Sequence, residues 1–351
     1  GKTTIFNALT KGNAPIGQSV AGRFDVLTAV VDVPDQRVDV LSRLFKPKKT
    51  TYAKVTYLDI AGLQKGMGES GGLSGPLLNH LANLDGFVHI VRAFLDERVA
   101  HPEDSVDPAR DLAVLDTEFL LNDLLTVERR MEKLREGLRK GAPQNRAAAE
   151  AELSLFEQLQ QTLSAERPLR TLHLDEATMK GLRGYGLLTL KPVLVVVNVG
   201  DDQPEIPLDY PWPSSLVTNL RGKLEMELAQ LSREGDEASL EMFMAEYGIT
   251  ELSLDRIIRL SYELMGLESF FTVGEDEVRA WTIERGATAV DAAGTIHTDL
   301  AKGFIRAEVI PYQELVTLGG LAQARTAGKL RQEGRTYVVQ DGDILHVKFN
   351  I

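Results

Sequence analysis

Pro192 is followed by Val193-Leu194-Val195-Val196-Val197, an unbroken apolar block rich in β-branched residues. Such a block offers no polar face to water, so as a strand it must be covered on both sides, the situation of a strand in a parallel sheet. Residues 54–59 and 86–94 have the same character, and with residues 191–198 they give three candidate buried parallel strands. Helical patterns flank them at residues 4–9 and 76–84. Alternating strands and helices predict an α/β fold with a doubly wound, mostly parallel sheet.

Between the second and third runs the pattern changes. Over residues 107–138 the apolar positions Leu120, Leu124, Val127, Met131, Leu134 and Leu138 recur at spacings of four and three, which is a coiled-coil seam. Gly141-Ala142-Pro143 breaks that helix, and residues 147–163 supply a shorter one. The expectation is a helical coiled-coil hairpin inserted into the sheet domain; the alternative is a compact helical subdomain packed on the core. Beyond Phe271, residues 278–283 alternate around Trp281, and residues 337–339 and 344–349 flank an Asp341-Gly342 turn as a β-hairpin would. A helix is expected near residues 290–296. The chain therefore divides into 1–97 and 186–270 as two parts of one sheet domain, 98–185 as the insertion, and 271–351 as a mixed C-terminal domain.

Length and charge narrow the function classes. The 351 residues exceed what one ordinary core takes, and 43% hydrophobic with 26% charged residues fits a soluble globular protein. No apolar stretch reaches the roughly 20 residues of a bilayer span, and no signal-peptide pattern is present, so a cytoplasmic protein without membrane partners is expected. The chain has no cysteine, which excludes disulfides and thiolate metal sites. A net charge of -12 argues against general affinity for free DNA or RNA but leaves room for a basic patch on a structured ribonucleoprotein. Lys302, Arg306, Arg325, Lys329, Arg331 and Arg335 make the C-terminal domain the more basic part; they read equally as an RNA contact or a solvated face. His297 and His346 have no partner at ligand spacing and read as packing or surface residues.

Three ordered motifs carry the candidate chemistry. Gly1-Lys2-Thr3 is the tail of G-x-x-x-x-G-K-[ST], in which backbone N–H groups wrap phosphates, the lysine neutralises the terminal ones and the hydroxyl holds Mg²⁺. Gly1, Lys2, Thr3 and Thr4 are thus nucleotide-binding candidates, with Lys2 also catalytic. The pattern predicts a short strand and a glycine-rich turn ahead of Gly1. Asp59-Ile60-Ala61-Gly62 ends a strand: Asp59 with Thr3 is the metal candidate, and the Gly62 N–H is the catalytic sensor of the γ-phosphate. The plainer alternative is an aspartate capping a turn. Asn198-Val199-Gly200-Asp201 follows the third strand where base recognition belongs, so Asn198, Val199 and Asp201 are nucleotide-binding candidates. A guanine reader there is usually Asn-Lys-x-Asp; Val199 replaces the lysine. An ordinary strand-to-loop turn is the alternative.

With these motifs the chain resembles, along essentially its whole length, the YchF subfamily of Obg-like ATPases, P-loop nucleotide hydrolases of the translation-factor type. The resemblance is carried by Asp59-Ile60-Ala61-Gly62-Leu63 followed by Lys65-Gly66, by Val33-Pro34-Asp35, and by Asp107-Pro108-Ala109-Arg110-Asp111. It continues through Glu277-Val278-Arg279-Ala280-Trp281-Thr282, Gly286-Ala287-Thr288-Ala289, Ile296-His297-Thr298-Asp299, Gly303-Phe304-Ile305-Arg306-Ala307 and Val339-Gln340-Asp341-Gly342-Asp343. It implies that residues 271–351 form a TGS domain, a ubiquitin-like β-grasp fold. It further implies a cytoplasmic, monomeric, ATP-preferring hydrolase that uses Mg²⁺, with a monovalent cation such as K⁺ as a further candidate. The implied partner is the ribosome, on its large subunit, and not DNA. Leu63 stands where many GTPases have a catalytic glutamine and cannot orient water, so basal turnover should be slow. Two departures are visible. Asp201 stands where the family usually has glutamate, which keeps a GTPase open as a rival reading. Residues 19–28 do not match the family's first switch; the expected threonine falls near Arg23, with Thr28 close by. A nucleotide-gated binding module with negligible turnover is the second rival.

Overall fold

The computed structural model describes residues 1–10, 26–60, 75–97, 101, 103–141, 146–247, 249 and 252–350. The chain opens with α1 (Lys2–Thr10), β1 (Val26–Asp32), α2 (Gln36–Phe45), β2 (Lys49–Thr51), β3 (Lys54–Ile60), α3 (Gly75–Ala82) and β4 (Phe87–Arg92). Next come α4 (Pro108–Arg139), α5 (Arg146–Ser164), α6 (Glu176–Leu182), β5 (Val193–Asn198), β6 (Ser215–Leu220), α7 (Gly222–Glu234), α8 (Glu237–Glu246) and α9 (Ser253–Leu264). The C-terminal elements are β7 (Leu267–Thr272), β8 (Glu277–Glu284), α10 (Ala289–Ile296), α11 (Thr298–Lys302), β9 (Phe304–Pro311), α12 (Tyr312–Leu318), α13 (Leu321–Thr326), β10 (Arg331–Glu333) and β11 (Asp343–Phe349). They form two compact units, Gly1–Leu27 with Leu58–Ser253, and Thr28–Tyr57 with Leu254–Ile351. This partition groups residues 28–57 with the C-terminal residues, whereas the sequence pattern groups them with the sheet domain.

In the first unit β4, β5 and β6 form a parallel sheet, with Phe87 opposite Val193 and Val193 opposite Ser215. All six residues of β5 are buried, as the valine block requires. The run at 54–59 is a strand, but it differs from expectation in its partner. β3 pairs with β1 in a separate two-stranded sheet and joins β4 and β5 through side chains instead of hydrogen bonds. Leu58 and Ile60 pack in one cluster with Phe87, Val91, Val193, Val195 and Val197, and α3 adds Leu77 and Leu81.

The inserted helices have two different environments. Asp107 caps α4 by accepting from the Arg110 N–H at 3.0 Å, and Pro108 occupies the first turn, where its missing N–H costs nothing. Leu112 and Phe119, near the start of α4, belong to the core cluster of the sheet. Val127 and Met131 belong to a second cluster with Phe156, Leu159 and Leu163 of α5 and with Leu169, Leu182 and Leu187 beyond it. Arg130 clamps Glu152 across the two helices, Nε to Oε1 at 2.8 Å and Nη2 to Oε2 at 2.7 Å. The insertion thus has an apolar core of its own.

The second unit is built on a six-stranded sheet in the order β10-β9-β11-β7-β8-β2. β11 runs parallel to β7, and β2 parallel to β8; the other pairs are antiparallel. Ala289, Ala292 and Ala293 of α10 pack on Phe270, Ile283, Phe304 and Val309, and a capping box between Thr288 and Asp291 starts the helix. The hairpin expected around Asp341-Gly342 is corrected: the turn forms, with Gly342 at φ 89, but residues 337–339 do not pair with β11. Val338 bridges Thr288 instead. The reason is where the turn spends its polar groups. The Gly342 N–H donates to the Ser269 carbonyl at 2.8 Å, and the Asp341 carboxylate accepts from the Ser269 N–H at 3.0 Å and from Arg37 at 2.7 Å. Those bonds dock the turn on β7 and α2 and draw it away from a local hairpin.

Candidate functional site

The site is built where three strands end around the start of one helix. The Ile5 N–H donates to the Gly1 carbonyl at 3.0 Å, closing the first turn of α1 on Gly1. The N–H groups of Lys2, Thr3 and Thr4 therefore lack intrahelical acceptors and face the N-terminal end, an arrangement suited to phosphate oxygens. Ile5, Phe6, Ala8 and Leu9 are buried and hold the helix, while Lys2 is exposed and its ammonium is available. α1 packs on α7, whose Leu224 and Leu228 are buried.

Asp59 is the penultimate residue of β3, and its Oδ2 accepts from the Thr3 hydroxyl at 2.8 Å. Its neighbour Ile60 is anchored in the core. Asn198 ends β5 and is 5% exposed; a Cβ on Gly1 would lie 4.0 Å from its Nδ2. Arg92 ends β4, and its guanidinium is held by the Phe94 carbonyl at 2.9 Å and the Asp96 carbonyl at 3.1 Å. Gly1, Lys2, Thr3, Asp59 and Asn198 are thus brought together, at the carboxyl ends of the strands where open α/β sheets bind ligands.

The residues of the third motif are placed less uniformly. Asn198 uses its Oδ1 to accept from the Gly222 N–H at 2.9 Å, so it ties β5 to the start of α7. A Cβ at Gly222 would sit 2.7 Å from that oxygen, which is why glycine stands there. Val199 is 3% exposed and packs in the core, and its N–H donates to the Leu220 carbonyl at 2.9 Å, so neither its side chain nor its N–H is left to meet a ligand. Asp201 is half-buried, with its Oδ2 3.5 Å from the ammonium of Lys223. Gln203 shapes the loop between them, its Oε1 accepting from the Gly200 N–H at 2.7 Å. Sequence reasoning passed over Arg92, Gln203, Gly222 and Lys223; the glycine opening a helix just after a strand was the one usable signal. Gly62, Leu63, Lys65-Gly66 and Arg23 lie outside the described residues, and Thr28 is an exposed residue of β1.

A hydroxyl and one carboxylate, 2.8 Å apart, are hard oxygen donors of the kind Mg²⁺ takes. Among the described residues no group of three histidines, cysteines or acids forms a metal cage.

Comparison with known proteins agrees with this geometry. The family model YchF-GTPase_C, described as "Protein of unknown function (DUF933)", matches residues 267–350. The ribosome-binding ATPase YchF of Bacillus subtilis is 38% identical over 361 aligned positions, covering 100% of this chain and 96% of the relative. That of Escherichia coli O157:H7 is 37% identical with the same coverage. The chain belongs to the YchF family. A solved structure of the Schizosaccharomyces pombe YchF GTPase superposes with a TM-score of 0.81 at 33% identity, covering 99% of this chain and 94% of that one. The α/β architecture with its helical insertion and C-terminal β domain is therefore the YchF fold.

Proposed function

We propose that the chain is a ribosome-binding ATPase that cleaves the γ-phosphate of ATP with Mg²⁺. The observation that carries this reading is the Thr3–Asp59 hydrogen bond, which joins the tail of the phosphate loop to the acid at the end of β3. The names of the Bacillus and Escherichia relatives support the nucleotide and the ribosome. In this reading residues 1–97 and 186–270 hold the nucleotide, 98–185 form the arm, and 271–351 form the TGS domain. The chain acts as a cytoplasmic monomer on the large ribosomal subunit, and its nucleotide state switches the arrangement of its domains.

The roles follow from what each group can donate. The free N–H groups of the first turn of α1 cradle phosphate oxygens, and the Lys2 ammonium neutralises charge growing on the β–γ bridge. Thr3 and Asp59 would hold Mg²⁺, which supplies charge neutralisation across the β- and γ-phosphates. Asn198 fixes the base side by fastening the end of β5 to α7 beside Gly1. With Leu63 at the usual glutamine position, the attacking water is left to another group, a monovalent cation such as K⁺ or a ribosomal partner, while the Gly62 N–H senses the γ-phosphate. Single-turnover phosphate release from ATP, with and without ribosomes, tests this. Release in either condition supports an ATPase; none in both leaves a nucleotide-gated binding module.

GTP is the second reading, favoured by the carboxylate of Asp201, since guanine offers two donors that a carboxylate accepts and adenine does not. Lys223 at 3.5 Å competes for that carboxylate. On the ATP reading, Asp201→Asn changes the Kd for ATP and for GTP by less than about twofold, within the small worth of an exposed ion pair. A loss of about tenfold or more for GTP alone, measured by fluorescent-nucleotide titration, would establish the guanine role instead.

A further inference from the structure

Helix α3 follows the segment that carries the second phosphate motif, and its apolar face enters the same core cluster as the strand end that presents Asp59. Leu77 and Leu81 of α3 share a cluster with Ile60, the residue after Asp59. The C-terminal end of α3 is held from outside the helix. The Lys191 ammonium donates to the Leu81 carbonyl at 2.7 Å and to the Ala82 carbonyl at 2.7 Å, two groups that a helix end leaves without intrahelical donors. A cation is also favoured there by the helix dipole. Gly186, at φ 63, approaches the same end so closely that a Cβ on it would meet the Ala82 Cβ at 2.8 Å.

The strap that supplies these contacts, residues 186–191, is fixed to the root of the arm. Asp123 of α4 is fully buried, and its carboxylate accepts from the Leu188 N–H at 2.8 Å, the Thr189 N–H at 2.7 Å and the Thr189 hydroxyl at 2.7 Å. The Thr189 hydroxyl in turn accepts from the Leu169 N–H at 3.2 Å. Buried polar contacts thus fix the strap to α4, half-buried ones fix it to the end of α3, and Leu77 and Leu81 of α3 share a core cluster with Ile60.

We propose that Lys191 is a positioning residue for the nucleotide reaction, clamping α3 to the root of the arm so that the strand end bearing Asp59 is held in register. This rests on the ATPase reading above. It assigns to a lysine outside every motif a polar link between the arm and the helix behind the phosphate site, added to the apolar packing that Leu112 and Phe119 of α4 already share with α3.

Burial lowers the Lys191 pKa to about 8, with Asp85 and Asp123 acting in the opposite direction. The groups facing it are those two acids, the Phe87 ring at 5.7 Å and the two carbonyls of α3. The carboxyl of Asp123, raised to about 6 by burial, is already ionised in the alkaline range, so the charge that changes there is that of Lys191. Its loss weakens the clamp. It does not weaken the fold through linkage, because a lysine with a lowered folded pKa relieves a desolvation cost on deprotonation.

The test uses the full chain with Lys191→Met, which keeps the stem and removes the ammonium, and Lys191→Arg, which keeps the charge to high pH. For Lys191→Met we expect kcat for ATP to fall about tenfold or more, with the Kd for a fluorescent ATP analogue within about twofold and an unchanged thermal midpoint. Lys191→Arg should restore kcat at neutral pH and remove the fall above about pH 8 expected of the wild type. Equal kcat in Lys191→Met and wild type, or an alkaline limb that Lys191→Arg leaves in place, overturns the proposal. A melting loss in Lys191→Met that Lys191→Arg does not share leaves the arginine pH profile to decide. Should the wild type itself release no phosphate from ATP, the ATPase reading fails first and the proposal with it.

Discussion

Around the start of α1 Lys2 faces solvent, and Thr3 and Asp59, both half-buried, share one hydrogen bond. At the root of the arm, in the same unit, Asp123 is fully buried and accepts from four donors. The first region keeps its donors and acceptors open for a ligand and takes its geometry from the backbone, from strand ends and a helix start. The second fills its polar groups completely and so turns a buried charge into a fixed joint. One consequence is that mutations in the two regions should separate, with activity lost in the first and stability in the second.

Lys2→Ala gives the largest expected effect. It should lower kcat/KM for ATP by about 10²–10³-fold, roughly 3–4 kcal/mol of transition-state stabilisation, while the urea midpoint barely moves. A stability loss as large as the activity loss would break the distinction. Asp123→Ala should do the reverse. It leaves the donors of Leu188 and Thr189 buried without an acceptor, at a cost of about 2–3 kcal/mol in urea unfolding, with the Kd for ATP unchanged.

Asp123 also makes the contrast pH-dependent. Burial raises its folded pKa from 3.8 to about 6, opposed by its hydrogen bonds to Thr189, Leu188 and Asn122. The folded state therefore holds this proton more tightly than the unfolded chain, so the stability it contributes is fully present below 3.8 and is lost as pH rises through 6. The difference in stability between wild type and Asp123→Asn should carry that slope between pH 4 and pH 6; a difference flat across that range would show the carboxyl to be unperturbed.

His89 gives the smallest effect and sharpens the comparison by violating it. It lies on β4 beside Phe87 and Phe119, is 5% exposed, and neither ring nitrogen has a hydrogen-bond partner among the described residues. Burial, and after it the charge of Arg170, lower its pKa from 6.5 to about 3. The neutral ring is the folded form, so its stability is present above 6.5 and is lost as pH falls toward 3. His89→Phe should raise stability by about 1–2 kcal/mol at pH 7 and by more near pH 5, read from thermal melts at both values. A destabilised phenylalanine variant would point to a buried water on the imidazole.

Which parts of this were legible in the sequence depends on whether a residue's environment is set locally. The block at 193–197 could only be a doubly covered strand, and the seam residues Val127, Met131 and Leu134 are buried as their spacing demands, although Leu120 and Leu124 are only half-buried. The meeting of Thr3 with Asp59 was legible because the two motifs come in a fixed order along the chain. The place of β2 in the C-terminal sheet was not. Lys49-Thr50-Thr51 is a short polar strand held to β8 by backbone pairing, with no apolar pattern to announce it. Asp123 and Lys191 were hidden for a related reason. An acid on an amphipathic helix and a lysine ahead of a strand both look like surface residues until the tertiary fold brings their partners to them.

The direct measurement is ATP turnover against Mg²⁺ concentration at fixed ATP for the wild type, Thr3→Ala and Asp59→Asn. If the hydroxyl and carboxylate joined at 2.8 Å are the protein's metal-holding groups, each variant needs about tenfold more Mg²⁺ or higher for half-maximal rate. Variants that hydrolyse ATP with the wild-type Mg²⁺ dependence would contradict the assignment.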